Sequence, residues 1–119
     1  MVEPCLDAAR QLAGRGIEAT VINARFAKPL DAGAVLEAAR GFPLVLTVED
    51  HALQGGFGSA VCECVSDHGD GRARLVRLGL PDRFVEHGNR DELLRRYGLG
   101  PAEIADRCEV ELKRTVGAP

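Results

Sequence analysis

The feature that most constrains this chain is the order in which its hydrophobic period changes. Leu6, Ala9 and Ala13, and likewise Cys5, Ala9 and Leu12, recur at helical spacing, with Pro4 in the first turn and "GRG" at 14–16 as a stop. This predicts a helix over about 3–13. "EATVINA" at 18–24 is β-branched and almost continuously apolar, the pattern of a strand buried on both faces. Asp31 is placed to cap a second helix carrying Val35, Leu36 and Ala39, with Gly41 as its left-handed end. "PLVLTV" at 43–48 reads as a second buried strand. Phe57, Val61, Cys64, Val65 and His68 then restore the helical period over about 58–67, closed by "GDG" at 69–71. "RARLVRLGLPD" at 72–82 is a third strand whose arginines mark a sheet edge. Asp91 opens a short helix with Leu93, Leu94 and Tyr97, and Pro101 starts another with Ile104, Ala105, Cys108 and Leu112. Residues after about 113 are expected to fray.

Helix and strand in alternation predict a layered α/β domain with a mostly parallel sheet. The alternation begins on a helix, although a crossover helix joins two strands of the same sheet. A strand is therefore expected ahead of Met1.

Size and charge narrow the rest. The chain has 119 residues, 45% of them hydrophobic, and a net charge of −3, which suits one domain with its own core. Acids and bases are interleaved, so the basic stripe of a nucleic-acid binder is not expected. No apolar run approaches the roughly 20 residues of a membrane span, and no secretion signal opens the chain; a cytoplasmic location is expected. The scattered Cys5, Cys62, Cys64 and Cys108 read as reduced thiols, with Cys64 in the core and Cys62 less buried.

In parallel α/β sheets ligands gather beyond the carboxyl ends of the strands. Arg25 and Lys28, then Glu49, Asp50 and His51, then Asp82 and Arg83 fall there. "GGFG" at 55–58 could offer backbone N–H groups to a phosphate. It lacks the spacing of a dinucleotide turn and the Lys and Ser/Thr of a P-loop, and two acids stand at its mouth; the structural reading gives Gly55 and Gly56 a positive φ and lets Gly58 pack closely. Glu49, Asp50 and His51 could form an acid/base or metal set, but consecutive strand residues point in different directions. "CEC" at 62–64 lacks a second half-site for zinc. His68 and His87 have no neighbouring nucleophile, and no G-x-S-x-G is present. No catalytic and no metal-ligating residue is assigned.

Three stretches, in order and spacing, carry a resemblance: "VINARFAKPLD" at 21–31, "VEDHALQGGFGSAV" at 48–61 and "LGLPDRFVEHG" at 78–88. Together they resemble the C-terminal domain of the 1-deoxy-D-xylulose-5-phosphate synthases, thiamine-diphosphate-dependent enzymes of the transketolase family. The resemblance implies a three-layer α/β/α domain over residues 1–119 that lacks the family's first inner strand, so that the chain is expected to be an N-terminally truncated piece. It implies an enzyme that condenses pyruvate with glyceraldehyde 3-phosphate, releasing carbon dioxide, in isoprenoid precursor and thiamine biosynthesis. Thiamine diphosphate and Mg²⁺ would be held by two preceding domains of a homodimer, and none by this chain alone. The "GDG" at 69–71 is then coincidental. What carries over is an edge that packs toward the preceding domains or the dimer partner: Arg25, Lys28, Glu49, Asp50, His51, Gly55, Gly56, Gly58, Asp82 and Arg83. A second reading stays open, a stand-alone binding or regulatory module whose glycine loop takes an anion or a protein.

Overall fold

The helices form where the apolar spacing and the capping residues place them. In the computed structural model, which describes residues 1–69 and 71–117, α1 spans Val2–Ala13 and buries Ala8 and Leu12. Helix α2, Ala32–Gly41, starts at Asp31, whose side chain accepts a hydrogen bond from the Ala34 N–H, satisfying one of the donors a helix start leaves free. Gly41 is the last helical residue and not a left-handed end; the extended Phe42 takes the cap position. Helix α3 spans Phe57–His68 and closes on left-handed Gly69. Helix α4, Arg90–Arg96, is capped by Asn89. Helix α5, Pro101–Val116, begins with proline in its first turn, where the missing N–H costs nothing, and stays helical past residue 113.

The sheet is smaller than the sequence pattern predicts. Among the described residues it has two parallel strands, β1 (Leu44–Ala52) and β2 (Arg74–Leu80). The expected strand over 18–24 does not form: these residues have no regular secondary structure, and Ile22 is 53% exposed. The physical reason is hydrogen bonding. A strand's N–H and C=O groups need a neighbouring strand, and among the described residues the backbone bonds here are the turn-like Ile17 N–H to Leu12 O and Arg25 N–H to Asn23 O.

Three layers nonetheless assemble. Val48 and Leu78 pack from the sheet into a core of Ala8, Leu12, Ile104 and Ala105, which places α1 and α5 on one face. The neighbouring strand residues point the other way, and Thr47 and Arg77 meet α3 at Gly58. Helices α2 and α3 pack together on that second face. A three-layer α/β/α domain with a parallel sheet is thus the architecture, reduced to two strands. No helix among the described residues is long and apolar enough to cross a membrane.

Candidate functional site

The acids at the end of β1 were expected to stand in a loop; they lie in the strand. β1 and β2 run in register from Leu44 opposite Arg74 to Val48 opposite Leu78, and resume at Ala52 opposite Leu80. Glu49, Asp50 and His51 therefore face the single residue Gly79. Such a bulge bends the strand and re-aims its side chains. A Cβ at Gly79 would fall 2.9 Å from the His51 carbonyl and 3.0 Å from Glu49 Cγ.

The three side chains part company, as consecutive strand residues do. Glu49 turns inward and is 6% exposed. Its Oε2 accepts a hydrogen bond from the Phe57 N–H at 2.7 Å, and its Oε1 accepts one from the Gly58 N–H at 2.9 Å. Asp50 turns outward and pairs with Arg90 at 2.7 Å, tying the strand end to the start of α4. His51 is exposed, with Nδ1 3.1 Å from the Ala52 carbonyl.

Glu49 thus acts as the cap of α3 from eight residues upstream. A carboxylate at a helix N-terminus meets both free N–H groups and the positive end of the helix dipole. The glycines make room for it. A Cβ at Gly56 would sit on the Glu49 carboxylate and 2.6 Å from the Ala52 carbonyl, and one at Gly58 would fall 2.5 Å from Thr47 Oγ1. Gly55 takes a positive φ of 69° as the sequence predicts, whereas Gly56 does not.

A second set of bonds, which the sequence reading missed, closes the loop behind Glu49. Ser59 Oγ accepts from the Gly55 N–H at 3.2 Å and donates to the Leu53 carbonyl at 3.0 Å. Arg77 of β2 donates to the same carbonyl and to Ser59 Oγ, both at 2.9 Å. No local motif announces these contacts, since Arg77 arrives from another strand.

This arrangement decides against the phosphate cradle. The two N–H groups that would hold an anion are already paired with a carboxylate of the same chain, and Asp50 adds charge of the same sign nearby. For the same reason the residues of this edge do not suit a diphosphate cofactor. Among the described residues no three His, Cys, Asp or Glu side chains converge on a metal position.

The other candidate residues are not brought into this cluster. Arg25 and Lys28 lie in the exposed turn before α2, and Asp82 and Arg83 in the exposed turn after β2. Among the described residues their side chains make no hydrogen bond or ion pair. Each turn also carries an exposed aromatic ring, Phe26 and the fully exposed Phe84.

One further ionic cluster was not anticipated. Glu111 of α5 is wholly shielded from solvent, and Arg74, Arg107 and Arg114 close on its carboxylate at 2.9, 3.0 and 3.3 Å. Burial pushes this carboxyl up, but the three guanidinium groups, Arg74 first, outweigh it and hold it below its usual range. The cysteines are all free and all half-buried, so Cys64 is no more a core residue than Cys62. Burial raises the thiols of Cys5 and Cys108, which pack against the α1–α5 core.

Comparison with known proteins adds three findings. The family model described as the C-terminal domain of transketolase matches residues 1–104. The 1-deoxy-D-xylulose-5-phosphate synthase 1 of Geobacter sulfurreducens is 52% identical over 118 residues, 99% of this chain and 18% of its own length. The synthase of Symbiobacterium thermophilum is 51% identical over 114 residues, 96% of this chain and 17% of its own. The chain thus spans less than a fifth of the length of these curated relatives. Among solved structures, a split-gene transketolase described as an inactive β4 tetramer superposes with a TM-score of 0.82 at 32% identity, over 96% of this chain and 36% of that one.

Proposed function

Because the chain belongs to the family of transketolase C-terminal domains, matched over residues 1–104, we propose that it is the C-terminal portion of a 1-deoxy-D-xylulose-5-phosphate synthase. In this reading the whole enzyme joins pyruvate to glyceraldehyde 3-phosphate with loss of carbon dioxide, in the cytoplasm, on the way to isoprenoid precursors and thiamine. Thiamine diphosphate and Mg²⁺ belong to the preceding domains, where the coenzyme supplies the carbanion chemistry. This piece docks against those domains and against a homodimer partner and is inactive alone.

The observation that carries the reading is the 52% identity running through almost the whole chain to one named synthase. The geometry supports a docking role for the edge. Glu49, Gly56 and Gly58 are spent on holding the α3 start, so they build a rigid support. Arg25, Lys28, Asp82 and Arg83 remain uncommitted beside the exposed Phe26 and Phe84, the mix of charge and aromatic surface that interfaces favour. The inactive assembly named for the split-gene transketolase is a parallel for a part without turnover of its own.

Complementation tests the proposal. The chain is mixed with a synthase polypeptide lacking its C-terminal domain, with thiamine diphosphate and Mg²⁺, and carbon dioxide release from pyruvate and glyceraldehyde 3-phosphate is followed. Activity is expected from the mixture and from neither part. Turnover by the 119-residue chain alone, or a mixture as inert as its parts, would overturn it.

A further inference from the structure

Phe84 is the one large apolar side chain among the described residues that is completely exposed, at 100%; Phe26 and Val116 follow at 67% and 66%. Its neighbour Val85 is half-buried, so the segment after β2 turns the smaller apolar group inward and the larger one outward. Burial within this domain alone selects the reverse order, because a phenylalanine ring has more area to remove from water. The segment that carries the ring is held at several points. Where it leaves β2, the Leu53 N–H donates to the Leu80 carbonyl at 2.9 Å, and the Arg83 N–H then donates to the Pro81 carbonyl at 2.8 Å. Pro81 itself fixes one backbone angle at the entry. Beyond the ring, Glu86 pairs with Arg96 at 3.2 Å, Asn89 accepts from the Asp91 and Glu92 N–H groups at 3.0 and 3.3 Å, and Arg90 pairs with Asp50 at 2.7 Å. A braced turn thus presents Phe84 to solvent.

We infer that Phe84 is the anchor of the docking edge: its ring enters an apolar socket on the synthase domains that precede this one, and the socket's rim offers a carboxylate to Arg83 and a cation to Asp82. This role rests on the synthase reading above and names the residue that carries the contact. Three observations favour it. A ring held out on a braced turn loses little conformational freedom on docking, which is what lets a single side chain contribute strongly to affinity. Arg83 and Asp82, on its N-terminal side, make no side-chain hydrogen bond or ion pair among the described residues. An aromatic centre with a charged border is the anatomy of a protein contact, and a few such centres dominate its energy. The third observation concerns the partner. The chain spans 18% and 17% of the two synthases compared, so more than four-fifths of each lies outside the match. In one polypeptide that remainder stands beside this domain at high effective concentration, ahead of any second copy or unrelated protein.

The test measures, by titration calorimetry, the binding of this chain to a synthase polypeptide lacking its C-terminal domain. Phe84→Ala is expected to weaken binding at least about thirtyfold, the scale of an interface anchor. Its own urea midpoint should match the parent's, since a fully exposed ring supports nothing inside the domain. Val116→Ala, an exposed apolar position on α5, serves as the control and should bind as the parent does. Parent-like binding by Phe84→Ala, equal losses from the two variants, or a lowered urea midpoint for Phe84→Ala each overturn the anchor and leave the synthase reading standing. So does a parent chain that dimerises through Phe84 while Phe84→Ala still binds the synthase polypeptide fully, which makes a second copy the occupant. A parent chain that does not bind at all overturns both. A second arm covers a chain too weak to fold unaided: the chain is joined to the synthase polypeptide, and amide hydrogen exchange at 81–89 is followed with and without Phe84→Ala. Exchange there is expected to quicken at least about tenfold in the variant relative to α1, and unchanged exchange overturns the anchor.

Discussion

The loop from Glu49 to Ser59 and the stretch from Ile17 to Arg25 make opposite use of opposite sequences. The first is poor in intrinsic order: it contains three glycines, two acids and a histidine. Yet its backbone is held by Glu49, Ser59 and Arg77 through bonds of 2.7 to 3.2 Å. The second is rich in β-branched residues, Ile17, Thr20, Val21 and Ile22, and forms no strand. The difference teaches that a pleated, half-buried environment has to be supplied by neighbours. One carboxylate in the right place orders a glycine loop, while Ile17, Thr20, Val21 and Ile22, without a partner strand, remain unpaired coil.

The largest effect is expected on the satisfied side. Glu49→Ala strands two N–H groups at the start of α3 and leaves space against Gly56 and Gly58. Hydrogen bonds to a charged group contribute about 1.5–3 kcal/mol each, and losses at one site do not add fully, so a destabilisation of about 3 kcal/mol is expected. Urea unfolding of the chain measures it through the midpoint. Glu49→Gln keeps one acceptor oxygen and should lose about half as much. A change under about 0.5 kcal/mol for Glu49→Ala would place this carboxylate among ordinary surface groups and break the comparison.

How much of this was legible depends on the distance over which each interaction acts. Helices α1, α2, α3 and α5 follow from spacing and local caps, and the structure places their ends within a few residues of where the periodicity does. Gly41 and the 18–24 strand were misread for one reason. Local composition states what conformation a residue tolerates, not whether a tertiary partner arrives to use it. Glu49 was flagged as a strand-end acid but not as a cap, because its partners lie eight and nine residues on, brought to it by the bulge opposite Gly79. Glu111 was half legible. Arg107 and Arg114 stand at helical spacing from it, four before and three after, but Arg74 reaches it from β2.

That cluster predicts the next effect, on acid stability. The Glu111 carboxyl is held below its ordinary range in the folded chain. A depressed folded value means that the unfolded chain takes up this proton first as pH falls. The contribution of Glu111 is therefore complete above its unfolded value of about 4.3 and is lost as pH drops through the lower folded one. Glu109, held down by its hydrogen bonds to Lys113 and then Arg15, adds in the same direction. Unfolding midpoints between about pH 5 and pH 2 should show a shallower acid slope for Glu111→Gln than for the parent chain. Matching slopes would mean that the guanidinium groups do not set this carboxyl's titration.

The smallest effect is expected on the open side, and its smallness is informative. Ile22 is 53% exposed in a stretch without strand pairing, so Ile22→Asp removes little burial and disturbs no ladder. The expected change in the chain alone is within about 0.5 kcal/mol, the range of ordinary surface substitutions. In a buried parallel strand the same change would place a carboxylate in an apolar layer and cost several times more. Urea unfolding of Ile22→Asp beside Glu49→Ala thus measures the contrast directly. Near-equal losses would show that 18–24 is packed in solution as a strand, and that the order on the two sides of β1 does not follow from hydrogen-bond partners.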